Sequence, residues 1–216
     1  MSSIRKTSVV LLALLVVGSA GSAFATTFAL SPGGLSQAIF NSDAPLESIT
    51  GTSNAVSGQI DVDLDNPSDA SATITIDAAS FRTGIDDRDE HLRGANWIDA
   101  ASFPEIRFEL TAVNVAEGTT LAPATPVQGE VTGELTFHGV THTVTAQAEV
   151  GYYIIDEQTR MAGQMTGLVN NALRIVAEIE FNLSDYGVSI PPVLELKVAD
   201  TISFTLRLTG IEQQPS

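Results

Sequence analysis

Apolar and polar residues alternate with a period of two over most of this chain. In the segment 173–183 every second residue is apolar: Leu173, Ile175, Ala177, Ile179, Phe181 and Leu183. The same alternation recurs in the segments 59–64, 73–78, 105–112, 127–137, 140–150 and 201–208. A strict period of two is typical of antiparallel strands with one buried and one wet face. So many such segments, separated by Gly, Pro, Asn and Asp, predict an all-β barrel or sandwich.

Two neighbouring segments predict a β-hairpin. The odd-numbered residues are apolar or small in segment 127–137, and the even-numbered ones are mostly so in segment 140–150. If His138 and Gly139 form a two-residue loop, every cross-strand pair shares one face, as a hairpin register requires. A four-residue loop over residues 138–141 preserves the same parity. The hairpin is predicted either way, and the shorter loop predicts a positive φ at Gly139.

The inward face of this hairpin is small. Four of its positions carry the two smallest residue types: Gly129, Gly133, Ala146 and Ala148. Glycine inside a strand often marks a close backbone approach or space left for another group. Either large residues such as Phe108, Phe181 or Phe204 fill this space, or the apolar chain of a ligand lies beside the four small residues.

One charged segment breaks the alternation and predicts a short helical insertion near residues 86–100. Asp86 can cap a helix, and Gly94 can end it. Asp89 and Arg93 are spaced i,i+4, as ion pairs on helices are. This helix either covers one end of a barrel or belongs to a long surface crossover.

The N-terminus has the pattern of a secretory signal peptide. Residues 1–6 include Arg5 and Lys6, residues 9–17 are all apolar, and residues 23–25 read Ala-Phe-Ala. Nine apolar residues are too few to cross a bilayer core, which needs about 20. Cleavage leaves eight basic and 26 acidic residues, a formal charge of −18. We therefore predict a periplasmic or secreted protein without stable membrane insertion.

Composition excludes several classes of protein. The chain has no cysteine, so it has neither disulfides nor thiolate metal sites. Its formal charge of −16 opposes binding to nucleic acid and to anionic membranes.

Catalytic motifs are also missing from the sequence. It contains no Gly-x-Ser-x-Gly elbow and no metalloprotease helix. Its three histidines are His91, His138 and His142. We expect His138 to point outward beside the turn and His142 to point inward, which separates the pair. We predict no catalytic residue, no metal and no cofactor; a two-histidine metal or haem site is the alternative.

Several motifs, in order, resemble the signatures of the YceI-like lipid-binding family. They lie at residues 78–93 (AASFRTGIDDRDEHLR) with 97–100 and 103–108, at 133–142 (GELTFHGVTH), at 182–188 (NLSDYGV) and at 200–204 (DTISF). The resemblance covers about residues 36–209. It implies a lipocalin-like antiparallel β-barrel of about eight strands, exported, that holds a long polyisoprenoid or a similar amphiphile.

The resulting domain prediction has four parts. Residues 1–25 are a signal peptide, 26–35 an N-terminal extension, 36–210 the YceI-like barrel and 211–216 a tail. Both a monomer and a homodimer are compatible with the sequence.

Two groups of site residues are predicted. The ligand-binding cavity is lined by Phe40, Ile76, Phe108, Gly129, Gly133, Leu135, His142, Val144, Ala146, Ala148, Phe181 and Phe204. The signature helix and the mouth contribute Asp86, Arg88, Asp89, His91, Arg93 and Trp97. The charged residues of the second group either lock the helix onto the barrel or touch a ligand's head group.

The predicted function is that of a carrier or sequestering protein for an apolar, lipid-like ligand. It requires no chemistry of the protein's own. The alternative is a histidine-dependent metal or haem protein, or an enzyme that uses the barrel as its pocket.

The first testable prediction concerns export. We expect the mature protein to begin at Thr26, because signal peptidase reads the small residues of the Ala-Phe-Ala site. Intact-mass analysis of the exported protein checks this. Retention of residues 1–25 would contradict it.

Overall fold

Antiparallel strands dominate the fold. The computed structural model describes residues 25–214, so the predicted signal peptide, apart from Ala25, lies outside the described residues. The strands are β1 Thr26–Leu30, β2 Gln37–Asp43, β3 Ser48–Ser53, β4 Val56–Asp63, β5 Asn66–Asp77, β6 Glu105–Asn114, β7 Val127–Phe137, β8 Val140–Tyr153, β9 Ala172–Asn182 and β10 Thr201–Glu212. The helices are α1 Asp86–Arg93, α2 Glu157–Met161 and α3 Gly163–Thr166. Within residues 25–214, none of the helices has the length and apolar character needed to span a membrane.

Eight of the strands form a closed barrel, as predicted. Their order is β1-β4-β5-β6-β7-β8-β9-β10, and β1 pairs with both β4 and β10. The first half of β10 pairs instead with β2, which in turn pairs with β3. The β2–β3 hairpin therefore adds to the wall at one end of the barrel.

The alternation in the sequence sets which side chains face the interior. In β10, Ile202, Phe204, Leu206 and Leu208 are buried, whereas Arg207 between them is exposed. Because the sheet is closed, the inward faces of all eight strands meet in one interior.

Two strands extend the barrel beyond its predicted bounds. β1 lies in residues 26–35, which were predicted as an extension, and β10 continues through Glu212 into the predicted tail. β3 matches no predicted strand. The sequence predicted neither β1 nor β3 as a strand, because β1 is only five residues long and β3 (SITGTS) has a single large apolar residue.

The predicted hairpin register is confirmed. Phe137 pairs with Val140, and the pairs continue without a shift to Val127 and Val150. The turn is the two-residue one, with φ of 50° at His138 and 75° at Gly139. Positive φ at both positions is the mark of a type I′ turn, whose twist matches that of the strands.

The helical insertion is shorter than predicted. α1 ends at Arg93, and the N–H of Gly94 donates to the His91 carbonyl at 2.9 Å, so Gly94 ends the helix as expected. The prediction that Asp86 caps the helix is wrong. Ile85 occupies the capping position without a side-chain hydrogen bond, and Asp86 is the first helical residue. There its carboxylate still faces the positive end of the helix dipole.

The turn supplies a stability prediction. We expect Gly139→Ala to lower the free energy of unfolding by about 1–3 kcal/mol, because positive φ strains a side chain and the new Cβ would overlap the Phe103 ring. Gly118→Ala is the matched control: its φ is 76° and nothing lies within 4 Å of its new Cβ. Urea unfolding should show the larger loss at Gly139. Equal losses would mean that Phe103 moves aside freely.

Candidate ligand-binding site

The barrel interior contains an upper cavity at the end covered by α1. Its volume is about 400 Å³. Inward-facing aromatic residues and two residues that follow α1 supply much of its wall: Phe40, Phe81, Phe137, Phe181, Phe204, Trp97 and Ile98. A space of this size with such a lining suits an apolar ligand rather than a polar one.

A smaller lower cavity lies further along the barrel axis. Its volume is about 110 Å³, and its lining is almost entirely apolar. Gly129, Ala146 and Ala148 of the hairpin line it, together with Leu206 and Leu208 of β10.

A layer of side chains lies between the two cavities. About 10 Å³ of space remains within this layer, which includes Ile76, Phe108, Leu135, Ile179 and Phe204. Phe204 is the member of this layer that lines both the upper and the lower cavity. The interior is therefore divided into two chambers at the level of Phe204.

Polar side chains line the mouth of the upper cavity. Arg88 Nη1 lies 2.9 Å from Glu47 Oε1, and Lys197 Nζ lies 3.8 Å from Glu47 Oε2. His91 and Thr83 also line the mouth. One carboxylate thus faces two cations, and all three side chains remain partly exposed.

Asp89 fixes α1 to the loop that precedes it. The residue is 3% exposed, and its Oδ1 accepts hydrogen bonds from the Thr83 N–H at 2.7 Å and the Thr83 hydroxyl at 2.6 Å. Arg88 Nε donates to the same Thr83 hydroxyl oxygen at 2.9 Å. The signature motif therefore ties together the loop, the helix and, through Arg88, Glu47.

The charge of Asp89 is stabilised in place. Burial raises the pKa of its carboxyl group, but the two hydrogen bonds from Thr83 and the nearby charges of Arg82 and Arg93 outweigh that effect. The net result is a pKa below the usual 3.8. Asp89 is thus a structural anion rather than a proton donor at neutral pH.

The second and third signature motifs meet on one side of the same barrel end. There β8 pairs with β9 only from Gln147 onward, and the 3₁₀ turn Leu183–Tyr186 lies beside the unpaired part. His138 Nδ1–H donates to the Tyr186 carbonyl at 3.2 Å, and His142 Nε2–H donates to the Asp185 carbonyl at 3.0 Å. The two histidines replace the missing strand pairing with hydrogen bonds to the turn.

Tyr186 is the buried centre of this contact. Its ring lies in T-shaped contact with Phe137, His142 and Phe181, at centroid distances of 5.1 to 5.6 Å. Burial raises the pKa of Tyr186 to about 12, and the carboxylates of Asp185 and Glu134 act in the same direction. The phenol therefore stays neutral and serves packing.

The structure brings many of the predicted site residues into the interior. Those that line the upper cavity are Phe40, Leu135, Phe181, Phe204, Arg88, His91 and Trp97. Those that line the lower cavity are Phe108, Gly129, Ala146, Ala148 and Phe204, and Ile76 belongs to the layer between. Asp86 is exposed on α1, and Arg93 lies at the end of that helix, with its Nη1 buried.

Three predicted lining residues have other surroundings. The ring of Phe108 occupies the space beside Gly133, where a Cβ atom would overlap it, so here a large residue fills the gap. The side chain of His142 on β8 is exposed and contacts the 3₁₀ turn instead of pointing into the interior, because β8 and β9 diverge there. The predicted separation of His138 from His142 is therefore wrong, since both side chains donate hydrogen bonds to this turn. Val144 borders the same outer groove as His142 and also packs against the buried core.

Several lining residues were not predicted from the sequence. The segment between β9 and β10 supplies Val188, Leu194, Lys197 and Val198 to the upper cavity. It has no alternation that could reveal an inward face. By contrast, Ile106, Phe137 and Ile202 lie on inward faces that the alternation defines, so parity alone could have found them.

The histidines show no metal-binding arrangement in the part of the chain that the structure describes. Among residues 25–214, no three His, Cys, Asp or Glu side chains lie close enough together to hold a metal ion. The absence of a cofactor and of catalysis stays a prediction.

Fold and cavity together define a class of protein: a closed antiparallel β-barrel with an apolar internal chamber and a polar mouth. The YceI-like domain profile matches residues 35–210. The chain belongs to the YceI-like family.

Curated relatives share part of this sequence. A UPF0312 protein of Vibrio parahaemolyticus is 35% identical over 101 residues, which cover 47% of this chain and 49% of the relative. Protein YceI of Salmonella arizonae is 36% identical over 100 residues, 46% of this chain and 48% of the relative. The matched segment thus spans about half the length of these relatives.

Solved structures share the fold. BcnA of Burkholderia cenocepacia superposes with a TM-score of 0.62 at 23% identity, covering 81% of this chain and 95% of BcnA. A domain from Saccharophagus degradans described as polyisoprenoid-binding gives a TM-score of 0.60 at 18% identity, covering 88% and 99%. At these identities the likeness establishes the barrel.

Asp89 supplies a prediction with a pH dependence. We expect Asp89→Asn to lower the free energy of unfolding by about 1–3 kcal/mol at pH 7, because two hydrogen bonds lose their charged acceptor. The folded-state pKa is lowered, so this stabilisation is present above pH 3.8 and is lost as the pH falls through the lower folded value.

Thermal unfolding of both proteins at neutral pH and near pH 2 measures this difference. The gap between wild type and variant should narrow in acid. Asp87→Asn, an exposed change in the first turn of the same helix, is the control and should cost only a few tenths of a kcal/mol. If the stability difference between the wild type and Asp89→Asn is equally large in acid, the charge of Asp89 is not what stabilises α1.

Proposed function

We propose that this protein is an exported carrier or sequestering protein for an amphiphile, with a polyisoprenoid or similar apolar chain held in the upper cavity. The observation that carries the proposal is that cavity of about 400 Å³, with an apolar wall and polar groups at its mouth. The protein needs no chemistry of its own in this role.

The energetics favour a chain over a compact polar molecule. Burying each methylene contributes about 0.8 kcal/mol, whereas association costs about 4–15 kcal/mol in lost freedom. Several isoprene units can offset that cost in the upper cavity. A polar metabolite gains little from its aromatic wall.

The mouth suits the head group of such a molecule. Glu47, Arg88 and Lys197 interact near the solvent, where an ion pair contributes only about 0–1 kcal/mol. A polar head can therefore replace one of these contacts at little cost, while the chain lies among the aromatic rings below.

Two further points support this role. The similar barrel from Saccharophagus degradans is described as a polyisoprenoid-binding domain, which favours the same chemical class of ligand here. Export rests on the signal-peptide pattern of residues 1–25.

Mass spectrometry of the protein purified from its own organism is the direct test. Native spectra should show one added mass, and solvent extraction should release an apolar amphiphile that accounts for it. A stoichiometric metal or haem in place of an organic amphiphile would contradict the proposal and favour the histidine-dependent alternative.

A pair of variants tests the location of the ligand. Val198 lines the upper cavity, so Val198→Trp should fill part of it and weaken farnesol binding about tenfold or more, since two lost methylene contacts already account for about 1.6 kcal/mol. The matched control is Val193→Trp in the same segment, where the side chain is 86% exposed. Titration calorimetry on delipidated protein measures both affinities. Equal farnesol affinity in the two variants would place the ligand elsewhere.

A further inference from the structure

We propose that Phe204 is a gate between the two cavities and sets the longest apolar chain that the barrel accepts without rearrangement. This inference rests on the proposed function and deepens it. The ligand class it implies is an amphiphile whose chain ends at Phe204, and longer chains fit only when this ring moves or is removed.

The layout of β10 places Phe204 at the boundary. Ile202 lines the upper cavity, Leu206 and Leu208 line the lower cavity, and Phe204 lines both. These side chains follow one another along the inward face of a single strand. The order of the residues is therefore the order of the two chambers along the barrel axis.

Packing holds the ring across the interior. Phe204 is 5% exposed, and its strand neighbours are Phe40 on β2 and Ile179 on β9. Its ring lies 6.2 Å from Phe81 and 6.3 Å from Phe181, in tilted contacts. A ring in such contacts is held more firmly than an aliphatic side chain would be. Phe204 therefore gives the upper cavity a well-defined end.

The rest of the layer leaves little room around the gate. Phe108 is seated against Gly133 on the far side, and Ile76, Leu135 and Ile179 complete the layer with about 10 Å³ of space among them. Because Phe204 borders both cavities, we expect removal of its ring to join spaces of about 400 and 110 Å³.

The experiment measures affinity against chain length. Delipidated full-length mature protein is titrated with saturated alcohols from octanol to eicosanol. For the wild type we expect the affinity to rise about fourfold per methylene and then to become constant once the upper cavity is filled. For Phe204→Ala we expect the affinity to keep rising for several more methylenes before it levels off.

Phe28→Ala is the matched control. Phe28 is fully buried on β1 and loses the same number of atoms, but it lines neither cavity. Its chain-length limit should equal that of the wild type, even if the variant is less stable. Where either alanine variant fails to fold, Phe204→Leu and Phe28→Leu replace the pair, with a smaller shift expected for Phe204→Leu alone.

The possible outcomes test the Phe204 gate and the proposed binding function separately. The gate is overturned if affinity stops rising at the same chain length in the wild type and the Phe204 variant. It is also overturned if the affinity of the wild type rises over the whole series. In both cases the proposed binding function stands. An equal shift of the chain-length limit in the Phe28 variant also overturns the gate, because the effect would then come from a general loosening of the barrel packing. A wild type that binds none of the alcohols overturns the proposed function.

Discussion

The apolar interior of this protein depends on one strand that pairs on both sides. β1 is five residues long, yet it forms a ladder with β4 and also meets the end of β10 through Phe28 and Ala29. That double pairing converts an open sheet into a barrel, and a barrel has no free edge at which water reaches the inward face. Every cavity described above exists because this short strand closes the sheet.

Closure alone does not decide what the interior holds. The inward faces supply enough large side chains to fill the middle of the barrel, in the layer that includes Phe108 and Phe204, but not the spaces on either side of it. The segments that carry the family signatures then cover the upper end. Asp89 and Thr83 hold α1 in place there, and His138 fixes the 3₁₀ turn opposite. The signatures thus act mainly as architecture around the cavity.

The alternation of apolar and polar residues predicted those features of the fold that are set within one strand or one hairpin. The antiparallel strands and the β7–β8 register followed from alternation, since a one-residue slip would expose every apolar side chain of the hairpin. Alternation left a barrel and a sandwich open, and the family resemblance implied the barrel. The contact between Phe108 and Gly133 could not be predicted in the same way, because it depends on the register between β6 and β7. In that register Phe108 lies opposite Leu135, and its ring reaches diagonally to the space beside Gly133. For the same reason the prediction of free space was right beside Gly129, Ala146 and Ala148 but wrong beside Gly133.

The wall around the mouth is uneven in strength. Between β3 and the loop before α1, Thr52 and Arg82 exchange two hydrogen bonds, at 2.8 and 2.9 Å, as an isolated bridge. On the opposite side, β7 and β8 are joined by eleven consecutive residue pairs. A widening of the mouth therefore meets less resistance at the Thr52–Arg82 seam than at the β7–β8 hairpin, and amide hydrogens at the seam should exchange with solvent sooner than those of the hairpin. The barrel has a rigid side and a yielding side, and the upper cavity opens toward solvent between them.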